Sequence, residues 1–344
     1  MLKATPTHNA ATSSLDAFRP FPMLGHPHLQ TLFAAKFGFP QEAPSATLVI
    51  PLDDGDSLAL RISTPPGWRP TDPTVVLVHG LCGCSRSPYL VRLAGRLYSR
   101  GTRAVRMNLR GCGEGEGLAR QMYHSGRSAD VLAVLTALKE SEPTSRYSLV
   151  GFSLGGNIVL KLAGELATSD KDFVERVVAV CPPVDLLASS QRLSTPTGAI
   201  YDRYFCKLLR AAVRQRHRRF PDLPPPELPK RLTLFEFDDH YTAPQSGFVD
   251  AEDYYARSSA LPLLASIAIP CHILYSADDP LIDVSALENA ALPPSVCTHR
   301  TARGGHLGFL ARPWSGSGYH WMDSRLIAWL SDRAEPHLPN DSVP

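Results

Sequence analysis

The 344-residue chain is 44% hydrophobic and 20% charged, with 24 glycines and 31 prolines. That balance suits a globular protein with a large core and excludes collagen-like or disordered composition. A formal net charge of +2 gives no global basic field of the kind nucleic-acid binding needs, so any contact with anions must be local.

The seven cysteines (Cys82, Cys84, Cys112, Cys181, Cys206, Cys271, Cys297) are odd in number and contain no C-x-x-C pair. A reducing compartment is the expectation. Cys82-Gly83-Cys84 lacks a further ligand pair at zinc-site spacing, so no metal is expected there. The start, Met1 to His8, has no apolar core of a signal peptide. No run approaches the ~18 apolar residues that span a bilayer. A cytoplasmic location without a transmembrane segment follows as the expectation.

Residues 1–46 read as an N-terminal arm rich in proline and small residues. His26 and His28 have no acidic or cysteine partner nearby, which favours packing over metal ligation. Thr47–Leu52 and Ser57–Ser63 predict strands joined by Asp53-Asp54-Gly55-Asp56, a hairpin turn read as a solvated loop rather than a cation site. Thr74–Val78 is a continuous apolar run, as expected of a strand buried on both faces of a parallel sheet, and it ends in His79-Gly80-Leu81. Ser87–Ser99 has helical spacing (Leu90, Leu93, Ala94, Leu97), with Gly101 as its cap. Arg103–Leu109 is the next strand. It runs into Gly111, Gly113, Gly115 and Gly117, whose spacing differs from the dinucleotide pattern G-x-G-x-x-G and predicts a mobile turn. Asp130–Lys139 is an apolar-periodic helix, and His124 before it is read as structural.

Arg146–Val150 predicts a buried strand and Asn157–Ala163 a helix; between them lies Gly151-Phe152-Ser153-Leu154-Gly155-Gly156, a G-x-S-x-G pattern. In that context Ser153 sits on a sharp strand-to-helix turn, where glycines two positions either side let the elements pack closely. The first amides of the helix lack intrahelical partners and can hold an oxyanion. The N–H of Leu154 is assigned that role together with the N–H of Leu81, on the glycine loop after the earlier strand.

Arg176–Cys181 predicts another buried strand. Residues 184–265 then break the strand-helix alternation, with a basic run (Arg203, Lys207, Arg210, Arg214, Arg216, Arg218, Arg219) and a proline-rich stretch. This insertion is read as a cap over Ser153, shaping a substrate pocket. Tyr204, Leu208, Ala211 and Ala212 make the basic run an amphipathic helix, either a solvated face or a weak peripheral contact with anionic membrane.

Cys271–Tyr275 resumes the sheet and runs into Ser276-Ala277-Asp278-Asp279-Pro280. A carboxylate here, ahead of a histidine, fits the template for orienting an imidazole. Asp278 and Asp279 compete, and Asp279 is preferred. After the last strand, Val296–Thr301, His306 lies on the glycine-flanked loop Gly304-Gly305-His306-Leu307-Gly308-Phe309. Tyr319–Leu330 closes as an amphipathic helix.

Taken together these residues resemble a branch of the α/β-hydrolase superfamily that contains bacterial predicted esterases, plant embryogenesis-associated proteins, yeast medium-chain fatty acid ethyl ester synthase/esterases and animal phospholipid-acting hydrolases. The resemblance rests on Pro27-His28-Leu29-Gln30-Thr31-Leu32, His79-Gly80-Leu81, Asn108-Leu109-Arg110-Gly111-Cys112, Tyr123-His124-Ser125-Gly126, the Gly151–Asn157 elbow, Phe237-Asp238-Asp239, Asp253-Tyr254-Tyr255, Asp278-Asp279-Pro280 and Gly304–Phe309. It implies a mostly parallel sheet of about eight strands flanked by helices, with a helical cap after the sixth strand.

The expected organisation is an arm (1–46), a first core segment (47–183), the cap (184–265), a second core segment (266–334) and a flexible tail (335–344). The expected activity is hydrolysis of short- to medium-chain acyl esters by a Ser153, His306, Asp279 triad with no metal or organic cofactor. Two alternatives stand beside it: acyl transfer to an alcohol, and ligand binding without turnover. The expected partner is a small-molecule ester. Oligomeric state is not legible.

Overall fold

Long apolar runs with few polar interruptions demand a sheet covered on both faces, and that is what forms. The computed structural model describes residues 18–36, 42–313 and 318–331; the first 17 residues of the arm and the tail from Glu335 lie outside them. Strands β1 (Ala46–Pro51), β2 (Ser57–Ser63), β3 (Thr74–Val78), β4 (Arg103–Met107), β5 (Tyr147–Phe152), β6 (Val174–Val180), β7 (Cys271–Ser276) and β8 (Val296–Thr301) make one sheet in the order β1-β2-β4-β3-β5-β6-β7-β8. The β1–β2 and β2–β4 pairs are antiparallel; all others are parallel.

Its helices are α1 (Pro27–Lys36), α2 (Pro88–Tyr98), α3 (Ser128–Ser141), α4 (Leu154–Glu165), α5 (Leu186–Leu193), α6 (Ala199–Arg219), α7 (Leu234–Phe237), α8 (Ala243–Gln245), α9 (Ala251–Ser258), α10 (Ser285–Glu288) and α11 (Trp321–Ser331). Leu90, Leu93 and Leu97 of α2 pack with Leu326 of α11 over Val75, Leu77 and Val150 on one face of the sheet. Val131, Val134 and Leu135 of α3 and Ile158 and Leu162 of α4 cover the other over Val76, Val78 and Leu149. Each such leucine, fully withdrawn from water, contributes about 1.5–3 kcal/mol before entropy is counted.

Parallel order places the carboxyl ends of β3, β5, β6, β7 and β8 along one edge of the sheet, which is where loops of open α/β sheets carry chemistry. Between β6 and β7 the chain leaves the sheet for α5 to α9, the helical cap. α6 faces inward with Tyr201, Cys206, Leu209 and Val213. The sequence reading chose a different stripe: Tyr204 and Ala211 are instead exposed, as are Arg203, Lys207, Arg214 and Arg218. Two apolar stripes compete on this helix, and the one with Leu209 and Val213 packs.

Two loops differ from expectation. The Asp53–Asp56 turn is not simply solvated: Asp54 and Asp56 both accept from Arg110 Nη1, at 2.6 and 2.7 Å, while Asp130 takes the other side of the guanidinium. Arg110 is 4% exposed, so three carboxylates compensate one buried cation. The glycine-rich turn after β4 is likewise tied: Glu114 accepts from Ser85, Arg86 and Asn108. The buried Asn108 bonds the Ser85 amide, the Ala59 carbonyl and Glu114.

Candidate active site

The turn from β5 into α4 forces Ser153 to φ 52° and ψ −122°, a region that costs of order 1–3 kcal/mol and is held only by its surroundings. Those surroundings require glycine. A Cβ on Gly151 would stand 2.2 Å from the Gly155 carbonyl oxygen, and one on Gly155 would stand 2.5 Å from the carbonyl oxygens of both Val78 and His79. The Ser153 amide donates to the Val180 carbonyl at 2.8 Å, fixing the turn against β6.

His306 reaches the serine from the loop after β8. Its Nε2 lies 2.9 Å from Ser153 Oγ and its Nδ1 2.8 Å from Asp279 Oδ2. Asp279 is 1% exposed and His306 7%. The other carboxylate oxygen of Asp279 accepts from the amides of Leu281 and Ile282, so the group is held as an acceptor. Arg192 donates to the Asp279 carbonyl from α5 of the cap. Asp278 does something else: its carboxylate accepts from the Gly305 amide at 2.9 Å and shapes the histidine loop. The structure therefore brings Asp279, and not Asp278, to the imidazole.

The histidine loop is strained, with Gly305, Leu307 and Phe309 all at positive φ. It is clamped by α1. Thr31 Oγ1 accepts from the His306 amide at 2.9 Å, while Gln30 donates to the Leu310 carbonyl and accepts from the Leu310 amide. The predicted packed arm is thus, over Pro27–Lys36, a brace for His306. His28 Nδ1 hydrogen-bonds Tyr201 Oη of the cap at 2.8 Å.

Leu81 lies between two amides already engaged. The Gly80 N–H donates to Tyr89 Oη and the Cys82 N–H to Tyr123 Oη, at 3.0 and 2.8 Å. Among the described residues the Leu81 N–H has no acceptor, and Leu154 is the first residue of α4, where no intrahelical acceptor exists. Both residues line the same cleft as Ser153. His79 braces this loop: Nδ1 donates to the Gly80 carbonyl and Nε2 accepts from the Leu109 amide. Burial pushes its pKa down to about 4, which keeps it neutral and able to accept.

A family model described as alpha/beta hydrolase fold matches residues 73–313. The chain belongs to the alpha/beta hydrolase fold family. Among curated relatives of this hydrolase, the Escherichia coli K12 protein named "Putative esterase YheT" is 33% identical over 343 residues, covering 97% of this chain and 99% of its own. The embryogenesis-associated protein EMB8 of Picea glauca is 25% identical, over 91% of this chain and 72% of its own. The monoacylglycerol lipase of Saccharomyces cerevisiae is 28% identical, over 75% and 59%. Among solved structures, the Pyrococcus furiosus esterase Pf2001 superposes with a TM-score of 0.55 at 18% identity, over 86% of this chain and 97% of that one, a likeness of fold.

In this hydrolase the cleft over Ser153 is roofed by the cap and lined chiefly by apolar groups, including Leu193, Leu209, Phe237 and Ile282. Its far wall carries Asp238, which accepts from Thr242 and Tyr255 and which burial raises to a pKa of about 6. His124 also lines the cleft, with Nδ1 accepting from the Gly126 amide; burial lowers its pKa to about 3, so it stays neutral. Burial pushes the Cys82 thiol up to about 12. No helix among the described residues is long and apolar enough to cross a membrane.

Sequence reasoning named Gln30, Thr31 and Tyr123 only within motifs, without a role, and missed Tyr89 and Arg192.

Proposed function

We propose that this protein hydrolyses short- to medium-chain carboxylic esters with Ser153 as nucleophile, His306 as acid and base, and Asp279 as the carboxylate that orients it. Carboxylic ester hydrolysis is the activity class; the residue roles and chain length are the reading added here. The observation that carries it is the unbroken relay from Ser153 Oγ through His306 to Asp279, at 2.9 and 2.8 Å.

Ser153 Oγ attacks the acyl carbon as His306 Nε2 takes its proton. The carbonyl oxygen becomes an oxyanion held by the N–H groups of Leu81 and Leu154, an arrangement worth about 3–4 kcal/mol per donor in comparable sites. Collapse breaks the acyl–oxygen bond, and the imidazolium returns its proton to the departing alcohol. Water, activated by the same imidazole, then releases the acid and restores the serine. Asp279 holds Nδ1–H throughout and stabilises the imidazolium without itself becoming protonated.

Turnover of p-nitrophenyl butyrate tests this. Ser153→Ala should lose about 10⁴-fold or more in kcat, by analogy with triad deletions elsewhere. Retained turnover in a folded Ser153→Ala protein removes the proposal. A second fate is favoured by the apolar cavity that reaches His306, lined also by Tyr89 and Leu307, since an alcohol seated there could intercept the acyl-enzyme. Product analysis with ethanol present separates ester synthesis from hydrolysis. The exposed stripe of Arg203, Lys207, Arg214 and Arg218 on α6 supports a weak contact with anionic lipid surfaces as part of the same reading.

A further inference from the structure

The serine and the histidine open into different cavities. Ser153, Leu81 and Leu154 line one of about 90 Å³ beneath the cap. His306 and Leu307 line another of about 730 Å³, walled by α1, the start of α2 and the first half of α6. Phe205 and Leu281 line both.

Acyl transfer assigns a half of the ester to each. In the step that forms the acyl-enzyme, the breaking bond joins the acyl carbon to the alcohol oxygen, and that oxygen takes its proton from His306 Nε2. The leaving oxygen must therefore come within hydrogen-bond reach of the imidazole, and the rest of the alcohol must extend on that side. The carbonyl oxygen lies meanwhile between the Leu81 and Leu154 amides, with the acyl chain continuing past Ser153. Resting on the ester-hydrolase reading above, we infer that the small cavity beneath the cap takes the acyl group and the large one beside His306 takes the alcohol. The substrates preferred by this site are esters of short acids with bulky, apolar alcohols.

The chemistry of the large cavity agrees. Leu32, Ala34, Ile200 and Tyr204 present mainly carbon. Among its polar members, His28 bonds Tyr201, and the Arg92 guanidinium pairs with the buried carboxylate of Asp323 through Nε and Nη2 while its buried Nη1 has no partner. The Arg92 charge is balanced by Asp323, so these groups call for no charged alcohol. Leu32, Ile200 and Tyr204 are also about half exposed, at 49%, 60% and 57%, so the cavity opens outward and lets a large product leave without passing the acyl pocket.

Two substrate series on the full chain test this. In the first, acetates of ethanol, 1-hexanol, 1-decanol and 2-naphthol are compared; in the second, ethyl esters from acetate through butyrate and octanoate to laurate. Expected is a kcat/KM that rises by tenfold or more along the first series and falls along the second beyond butyrate, since a single methylene that fits or fails to fit changes kcat/KM by about 10–200-fold. Ala34→Trp, which fills the large cavity, should cut the decyl-to-ethyl acetate ratio at least tenfold while leaving the laurate-to-butyrate ratio within twofold. Ile200→Trp, at the exposed rim, provides the same test if the first variant does not fold.

A protein that prefers long acyl chains and is indifferent to the alcohol overturns the inference while a fluorophosphonate adduct on Ser153 leaves the hydrolase reading intact. Acyl and alcohol ratios that both move with Ala34→Trp overturn it too. A protein that is neither labelled nor active on any ester overturns both.

Discussion

Removing one hydroxyl from α1 should weaken catalysis at a distance from the reacting bond. Thr31 Oγ1 accepts from the His306 amide at 2.9 Å and donates to the Pro27 carbonyl. Thr31→Val keeps the shape and leaves that amide without a partner beside a side chain 7% exposed. An unsatisfied buried donor costs about 1–3 kcal/mol. The histidine loop already holds Leu307 and Phe309 at positive φ, so the cost should be relieved by a shift of the loop rather than by global unfolding. At 1.4 kcal/mol per tenfold in rate, kcat should fall roughly fivefold to 150-fold. The assay is kcat and KM for p-nitrophenyl butyrate, with thermal unfolding measured in parallel. KM should change little, and Thr31→Ser, which restores the acceptor, should recover most of the rate. Unchanged kcat in Thr31→Val, or a Thr31→Ser variant as slow as the valine, would refute the reasoning.

Other outcomes follow from the same geometry. Asp279→Asn should cost about 10³–10⁴-fold in kcat through the wrong imidazole tautomer, whereas Asp278→Asn, which only loses charge at the Gly305 amide, should cost tenfold or less; steady-state kinetics of the two variants decides. The buried imidazoles of His79 and His272 have pKa values lowered to about 4 by burial, and that of His124 to about 3 for the same reason; all three are neutral in the folded chain. An unfolded histidine binds its proton near pH 6.5, so their contribution is complete above that pH and is lost as pH falls toward 4. Urea midpoints should decline steeply over that window, and a midpoint flat from pH 7 to 4.5 would contradict the assignment. Anionic vesicles should retain the protein at low ionic strength and release it at high salt, and reversing Arg203, Lys207, Arg214 and Arg218 to glutamate should abolish retention; equal binding to neutral vesicles would exclude the electrostatic contact.

Much of the scaffold was legible because its signal is local. β3 read as a strand from its continuous apolar run and β5 from its place before the elbow, and the elbow glycines announced a turn in which no larger residue fits. The eight-stranded order and the cap after the sixth strand match the resemblance that those motifs carried. What stayed hidden was set by partners distant in the chain. Thr31 and His306 are 275 residues apart, and nothing in either neighbourhood reports the other. The Asp53–Asp56 turn looked solvated because its cation, Arg110, arrives from the end of another strand. On α6 the stripe containing Tyr204 and the stripe containing Leu209 have the same period, and only the surface below decides which one packs. Between Asp278 and Asp279 the spacing from Ser276 favoured Asp279, and adjacent residues point to opposite sides of the loop so that only Asp279 meets the imidazole.

The central claim is that residue 153 becomes covalently modified because residue 306 activates it. Intact-mass measurement after exposure to a fluorophosphonate, followed by peptide mapping, addresses it directly. One adduct per chain on Ser153, formed at least about 10³-fold more slowly in a folded His306→Ala variant, is the predicted result. An adduct on a different residue, or an equal rate without the imidazole, would contradict it.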